Sequence, residues 1–402
     1  MLEEEFKQRY VEDICQFVRI PSITTAQGGQ EGPLQALVAE QMRLAGARVR
    51  TFEVDDIPEF RTHPLCHGPD RNYKNRPTVI GELGPEDAPA LLVMAHSDTV
   101  PIFEPNEWTF DPFLGQVKDN VIYGLGTTDD KWGVATMITA IRALKPRETQ
   151  MRRKVIFVST IDEESGVGNG MLLLKLAGIK AEAAFYLDGY QLNILLGTMG
   201  GSSMHLHAKD SMDPEKYSRH FADLHAACID FSRRRASLFN KPLLNNNAIR
   251  DSSVCLRQSQ DEKVLSLMIS FYTLPDESRE GFSGELESLV KTTLGGDYTL
   301  YNISVRQPWF EPAITPLETP FVKCLGDSIR QRMGYEPVLS TVSKQDIFVI
   351  INHCRIPSVS FGCLQQVTGR GAFHQPDECL SITEAWNGCS IAYGAICRWL
   401  EN

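Results

Sequence analysis

Ala90-Leu-Leu-Val-Met-Ala95 runs without interruption into His96-Ser-Asp98. An unbroken apolar row of this length fits a strand buried on both faces, and it stops at an imidazole and a carboxylate. The same grammar recurs along the chain. Asn120–Tyr123 leads into Gly124-Leu-Gly-Thr-Thr-Asp129-Asp130, Lys154-Val-Ile-Phe-Val-Ser159 into Asp162-Glu163-Glu164, and Ala183–Leu187 into Asp188-Gly189. Helical spacing over Trp132–Leu144 and Gly170–Leu176 separates these segments. Apolar strands alternating with helices predict an α/β fold, a mainly parallel sheet covered by helices on both faces. Such sheets bind ligands beyond the carboxyl ends of their strands, where this chain concentrates its imidazole and carboxylate groups.

Working outward, Phe6, Tyr10, Ile14, Phe17 and Val18 predict a first amphipathic helix, and a second is expected from Pro33 to Ala45. Arg48–Val54 and Thr78–Glu82 read as strands, joined by a loop rich in Pro, Gly and Asn. Beyond Gly197 the acidic strand ends disappear. Helices over Pro214–Leu238 and Gly281–Leu294 alternate there with strands over Met204–His207, Leu265–Tyr272 and Tyr298–Val305. We read 1–196 as the first part of a catalytic domain, 197–312 as an inserted α+β domain, and 313–402 as the second part of the first.

Of 402 residues, 40 are basic and 51 acidic, a net charge of −11 without basic blocks, which argues against nucleic acid or an anionic membrane as partner. No apolar run approaches the roughly 20 residues that span a bilayer. The start, MLEEEFKQRY, does not read as a secretory signal. Ten cysteines without a CxxC pair predict reduced thiols in the cytoplasm and no thiolate zinc site.

Each polar strand end has a plain structural explanation alone. His96-x-Asp98 is a weak motif, although i and i+2 on a strand share a side, so Asp98 can hold His96 while His96 binds a metal. Asp129 and Asp130 suit a helix N-cap. Glu163-Glu164 can be two solvated acids, or a ligand and a base. Asp188 suits a turn, and His374 is a loop histidine. Together, two imidazoles and several carboxylates without a thiolate suit zinc, cobalt or manganese.

Met-Ala-His96-Ser-Asp98-Thr-Val-Pro101, Trp108-Thr-Phe-Asp-Pro-Phe-Leu-Gly115, Tyr-Gly-Leu-Gly-Thr-Thr-Asp129-Asp-Lys, Asp-Glu163-Glu164-Ser-Gly and His374-Gln-Pro-Asp-Glu378 stand in this order. They resemble the co-catalytic metallopeptidases and deacylases that include acetylornithine deacetylase, succinyl-diaminopimelate desuccinylase, aminoacylase and carnosinase. The resemblance implies a catalytic domain interrupted by a lid that carries a dimer contact. It implies two divalent metals per chain, zinc first, bridged by Asp129; His96 and Asp188 complete one site, Glu164 and His374 the other. Asp98 would orient His96, and Asp130 replaces Asp129 if the register is shifted by one. Glu163 would serve as general base and acid when a metal-bridging water attacks the amide of a small N-acyl amino acid or short peptide. The alternative is an inactive protein of the same fold that binds metal and ligand.

Three departures bear on substrate and assembly. The histidine expected before the first lid helix is missing, leaving His205, His207, His220 and His225 as candidates. The Asp-x-Arg that grips substrate carboxylate is replaced by Ser270-Phe-Tyr272, leaving Arg250, Arg257 and Arg370. Trp132 stands where a small residue is common. Asp188 resembles the peptidase branch, whereas the loop from His63 to Pro77 resembles the deacetylases.

Overall fold

The computed structural model describes residues 4–209, 212–239, 243–244, 247–258, 265–306, 309–342, 344–364 and 369–401. The chain divides into two compact units, one of residues 1–196, 315–339 and 349–402, the other of 197–314 and 340–348.

The first unit opens with α1 (Glu5–Val18) and α2 (Gly32–Leu44), whose apolar faces are buried. Strands β1 (Arg48–Phe52), β2 (Thr78–Leu83) and β3 (Ala90–His96) follow, then α3 (Trp132–Leu144), β4 (Lys154–Thr160), the one-turn α4 (Glu163–Gly166), α5 (Asn169–Leu176) and β5 (Ala183–Tyr186). Ile194–Thr198 forms β6, a strand the periodicity left unread because it is buried throughout and merges with the next. After the second unit the chain continues through α8 (Pro320–Met333), β11 (Ser358–Ser360) and α9 (Ile382–Glu401).

Strands β11, β5, β3 and β4 are mutually parallel and form the centre of the sheet, as expected. Antiparallel β2 and β1 extend one side, and β6 lies against β11 on the other. All seven residues of β3 are buried, which accounts for its unbroken apolar run. Parallel register sets His96 of β3 beside Thr160 of β4, so the polar tails of both strands leave the sheet at one end.

In the second unit β7 (Gly200–Ala208), β8 (Val254–Gln258), β9 (Ser266–Thr273) and β10 (Tyr301–Val305) form an antiparallel sheet in the order β8-β9-β7-β10. Helices α6 (Pro214–Arg235) and α7 (Arg279–Leu294) share a core with it through Leu224, Phe282, Leu286, Ile269 and Phe271. Alternate residues, including Ser203, His205 and Arg257, fall on the other face, as the two-residue strand period requires. Among the described residues, no helix is long and apolar enough to cross a membrane.

Candidate active site

The carboxyl ends of the parallel strands and the loops beyond them carry His96, Glu163, Glu164 and Asp188. Asp129 instead follows Val121–Tyr123, which the sequence pattern groups with the buried parallel strands but which, short and only half-buried, pairs antiparallel with Gln116–Lys118 and Cys379–Ser381 in a separate three-stranded sheet. His96 ends β3, Asp129 lies in the turn before α3, Glu163 and Glu164 open α4, and Asp188 follows β5. His374 comes from the loop before α9, where φ is +59°.

Asp129 is the hub. One carboxylate oxygen lies 2.9 Å from His96 Nε2, and the other 3.0 Å from His374 Nε2. His374 Nε2 is also 2.9 Å from Glu164 Oε1. Two groups that could hold a cation result, with their donor atoms within 4.8 Å of one another: His96, Asp129 and Asp188, and Asp129, Glu164 and His374. Asp129 belongs to both and Asp130 to neither. Asp130 instead accepts the His96 amide at 3.2 Å.

The electrostatics follow from this crowding. Burial disfavours charge on His374, but Glu164 and Asp129 outweigh it and push the imidazole up to about 12. Burial likewise opposes charge on His96, and hydrogen bonds with Asp129 and Asp98 raise it well above its ordinary value. Burial would raise Asp129, but its bonds to both imidazoles hold it below the carboxylate range. Protons thus occupy positions that a cation can take. Nitrogen and carboxylate oxygen ligands, with one carboxylate shared, fit two divalent cations.

Asp98 contacts more than His96. Its carboxylate lies 3.6 Å from His96 Nδ1 and accepts the backbone amides of Glu163 at 3.1 Å and Glu164 at 3.0 Å. One buried acid therefore ties the end of β3 to the turn that carries both glutamates. Glu378 does the same for Asp129, accepting the amides of Gly126 at 3.0 Å and Thr128 at 2.9 Å and the Thr128 hydroxyl at 2.8 Å. The motif that contains His374 was the one sequence signal for Glu378.

The substrate candidates separate. Arg370 pairs with Asp377 and Glu107, and half-buried Arg250 with its neighbour Asp251. Arg257 has no carboxylate partner among the described residues. Of the candidate histidines, His220 is held by Tyr301 and Asp297, while His205 bonds Ser203 and stacks with His207. His225 stacks with Phe221. Trp132 is fully buried near Gly388, as a packing residue is.

The fold and the ligand set define a metal-dependent amide hydrolase. The chain belongs to peptidase family M20/M25/M40, whose model matches residues 92–398. It is 25% identical over 387 residues to succinyl-diaminopimelate desuccinylase of Methylobacterium radiotolerans, covering 91% of each chain. The Beijerinckia indica enzyme of that name is 24% identical over 396 residues, covering 91% of this chain and 92% of its own. Human carnosine dipeptidase 1 superposes with a TM-score of 0.73 at 15% identity, over 99% of this chain and 98% of that one. A dinuclear metal binding peptidase of the M20 family from Bacillus subtilis gives 0.61 at 15% identity, over 99% of both chains.

Proposed function

We propose that the protein hydrolyses the amide bond of a small N-acyl amino acid or short peptide. The observation that carries this reading is the Asp129 carboxylate, engaged through one oxygen in each of two ligand groups. His96 and Asp188 would hold one divalent cation with Asp129, and Glu164 and His374 the other, with zinc preferred over cobalt or manganese. Cations held there would supply Lewis-acid chemistry, polarising the amide carbonyl and acidifying water.

The chain's own residues supply the rest. Glu163, next to the ligand Glu164, takes the water's proton on its carboxylate and returns it to the departing amine nitrogen. Asp98 fixes that turn through two backbone amides, so the base and the ligand move as one. We assign Arg257, rather than Arg250 or Arg370, to a carboxylate of the substrate. Its surroundings are cationic: burial, Arg306 and Arg257 itself push the nearby Lys344 down to about 8. The names of the relatives support both acyl amino acids and dipeptides as substrates. Ten free cysteines support a reducing cytoplasm. We assign the second unit as a lid that also carries a homodimer contact, which sedimentation would test.

The experiment is Glu163→Gln in metal-loaded protein, assayed on acetyl, succinyl and formyl amino acids and on dipeptides. The expected result is lost turnover with both cations retained. Undiminished turnover would remove Glu163 as the base. Saturable binding without hydrolysis of any wild-type substrate would favour a binding protein of the same fold.

A further inference from the structure

The stretch from Glu53 to Arg76 contributes no ligand to either metal group, yet it reaches the residue before the proposed base. Asp162 is fully buried, with φ +65° and ψ 31°, and directly precedes Glu163. Its Oδ1 accepts from Thr24 at 3.0 Å, from Arg76 at 3.1 Å and from Arg71. Its Oδ2 accepts from the Tyr73 hydroxyl at 2.6 Å, Asn169 at 3.1 Å and Arg71 Nε at 3.2 Å. Arg76 is in turn held by both oxygens of Glu31, at 2.6 and 2.7 Å.

This is unusual investment in one side chain that touches no ligand atom. A four-residue helix such as α4 has little stability of its own, because nucleation consumes what its few hydrogen bonds return. Glu163 and Glu164 therefore depend on what grips them from outside. Asp98 holds their amides on one side. Asp162 holds the chain entering the turn, and its carboxylate fills the space beneath Gly166, where an added Cβ would lie 2.4 Å from Oδ2.

We propose that Arg71 and Tyr73 are positioning residues for the hydrolysis, acting through Asp162 to fix the turn that carries Glu163 and Glu164. The proposal rests on the roles assigned above to those two glutamates. It also gives the otherwise irregular loop between β1 and β2 a function. Loss of either donor leaves Asp162 short of a partner in a buried site, so its carboxylate shifts and the turn drifts with it. The cation group of Glu164, His374 and Asp129 then loses its geometry, while that of His96, Asp129 and Asp188 keeps it.

The test uses full-length Tyr73→Phe and Arg71→Met. Cobalt(II) titration of the metal-free proteins reads each site, and steady-state kinetics separate kcat from KM. In both variants the site that Glu164→Ala also removes weakens about 10- to 100-fold, and the other stays within about threefold. The kcat falls about tenfold or more with KM nearly unchanged. If Arg71→Met does not fold, Tyr73→Phe, which keeps both arginines, carries the test. Wild-type affinity at both sites would overturn the proposal. So would equal weakening of both sites with a lower unfolding midpoint, which is the behaviour of a merely structural contact. The titration stands if no amide is hydrolysed, so failure of the functional reading is distinguishable from failure of the positioning role.

Discussion

Gly166→Ala sets two physical effects against each other. Alanine in a helix is favoured over glycine by about 1 kcal/mol, so propensity alone predicts a gain. At Gly166, however, the new Cβ would meet Asp162 Oδ2 at 2.4 Å, its Cγ at 2.6 Å and Asn169 Cβ at 3.1 Å. The first contact is about 1 Å short of ordinary van der Waals separation. A free side chain would swing away, but both oxygens of this carboxylate are bound by buried donors. A shift of that size breaks at least one hydrogen bond to a charged group, at about 1.5–3 kcal/mol, and overpacking adds about 1–3 kcal/mol. The clash wins, and Gly166→Ala destabilises by about 1.5–5 kcal/mol net. Gly284 in α7 is the control, because nothing lies within 4 Å of its added Cβ, so Gly284→Ala stabilises by about 0.5–1 kcal/mol. Urea unfolding of the metal-free proteins reads both. A Gly166→Ala midpoint at or above wild type would refute the packing argument.

Asp98→Asn leaves one acceptor oxygen for two backbone amides, so zinc affinity and kcat both fall about 10- to 100-fold, measured by competition with a chromogenic chelator and by initial rates. Unchanged zinc affinity would show that Asp98 is dispensable. His96 Nε2 and His374 Nε2 each face a carboxylate oxygen at hydrogen-bond distance and hence carry protons, which an incoming cation displaces. Zinc uptake therefore releases protons and tightens as pH rises. Calorimetry in buffers of different ionisation enthalpy checks this, and uptake without proton release would contradict it. Arg257→Gln raises KM for carboxylate-bearing substrates about tenfold or more, a loss of uniform binding, while Arg250→Gln, whose arginine is already paired with Asp251, leaves KM unchanged in the same assay.

The strand ends were legible because a doubly buried strand declares itself by composition. His96, Asp98, Glu163, Glu164 and Asp188 follow apolar runs whose ends are visible in the sequence, and parallel register brings those ends together. Asp129 follows a strand of a separate antiparallel sheet and joins them from the turn before α3. His374 lies in a loop, and only the resemblance to known enzymes singled it out. The clamps were harder to read. Asp162 finds Arg71 and Tyr73 about 90 residues away, and Glu378 finds Gly126 and Thr128 about 250 away. No local spacing encodes such pairs; they exist only once the sheet has formed. Asp98 was expected to hold His96, but its grip on two backbone amides leaves no mark in side-chain identity. β6 escaped notice because its burial is continuous with that of β7, which removes the boundary a reader of periodicity needs.

The central claim is that one carboxylate, Asp129, serves two cations. Zinc content per chain, measured by atomic emission after equilibrium dialysis of wild type, Glu164→Ala and Asp129→Ala, tests it most directly. The account predicts two zinc ions in the wild type, one in Glu164→Ala and none in Asp129→Ala. An Asp129→Ala protein that still holds two would contradict it.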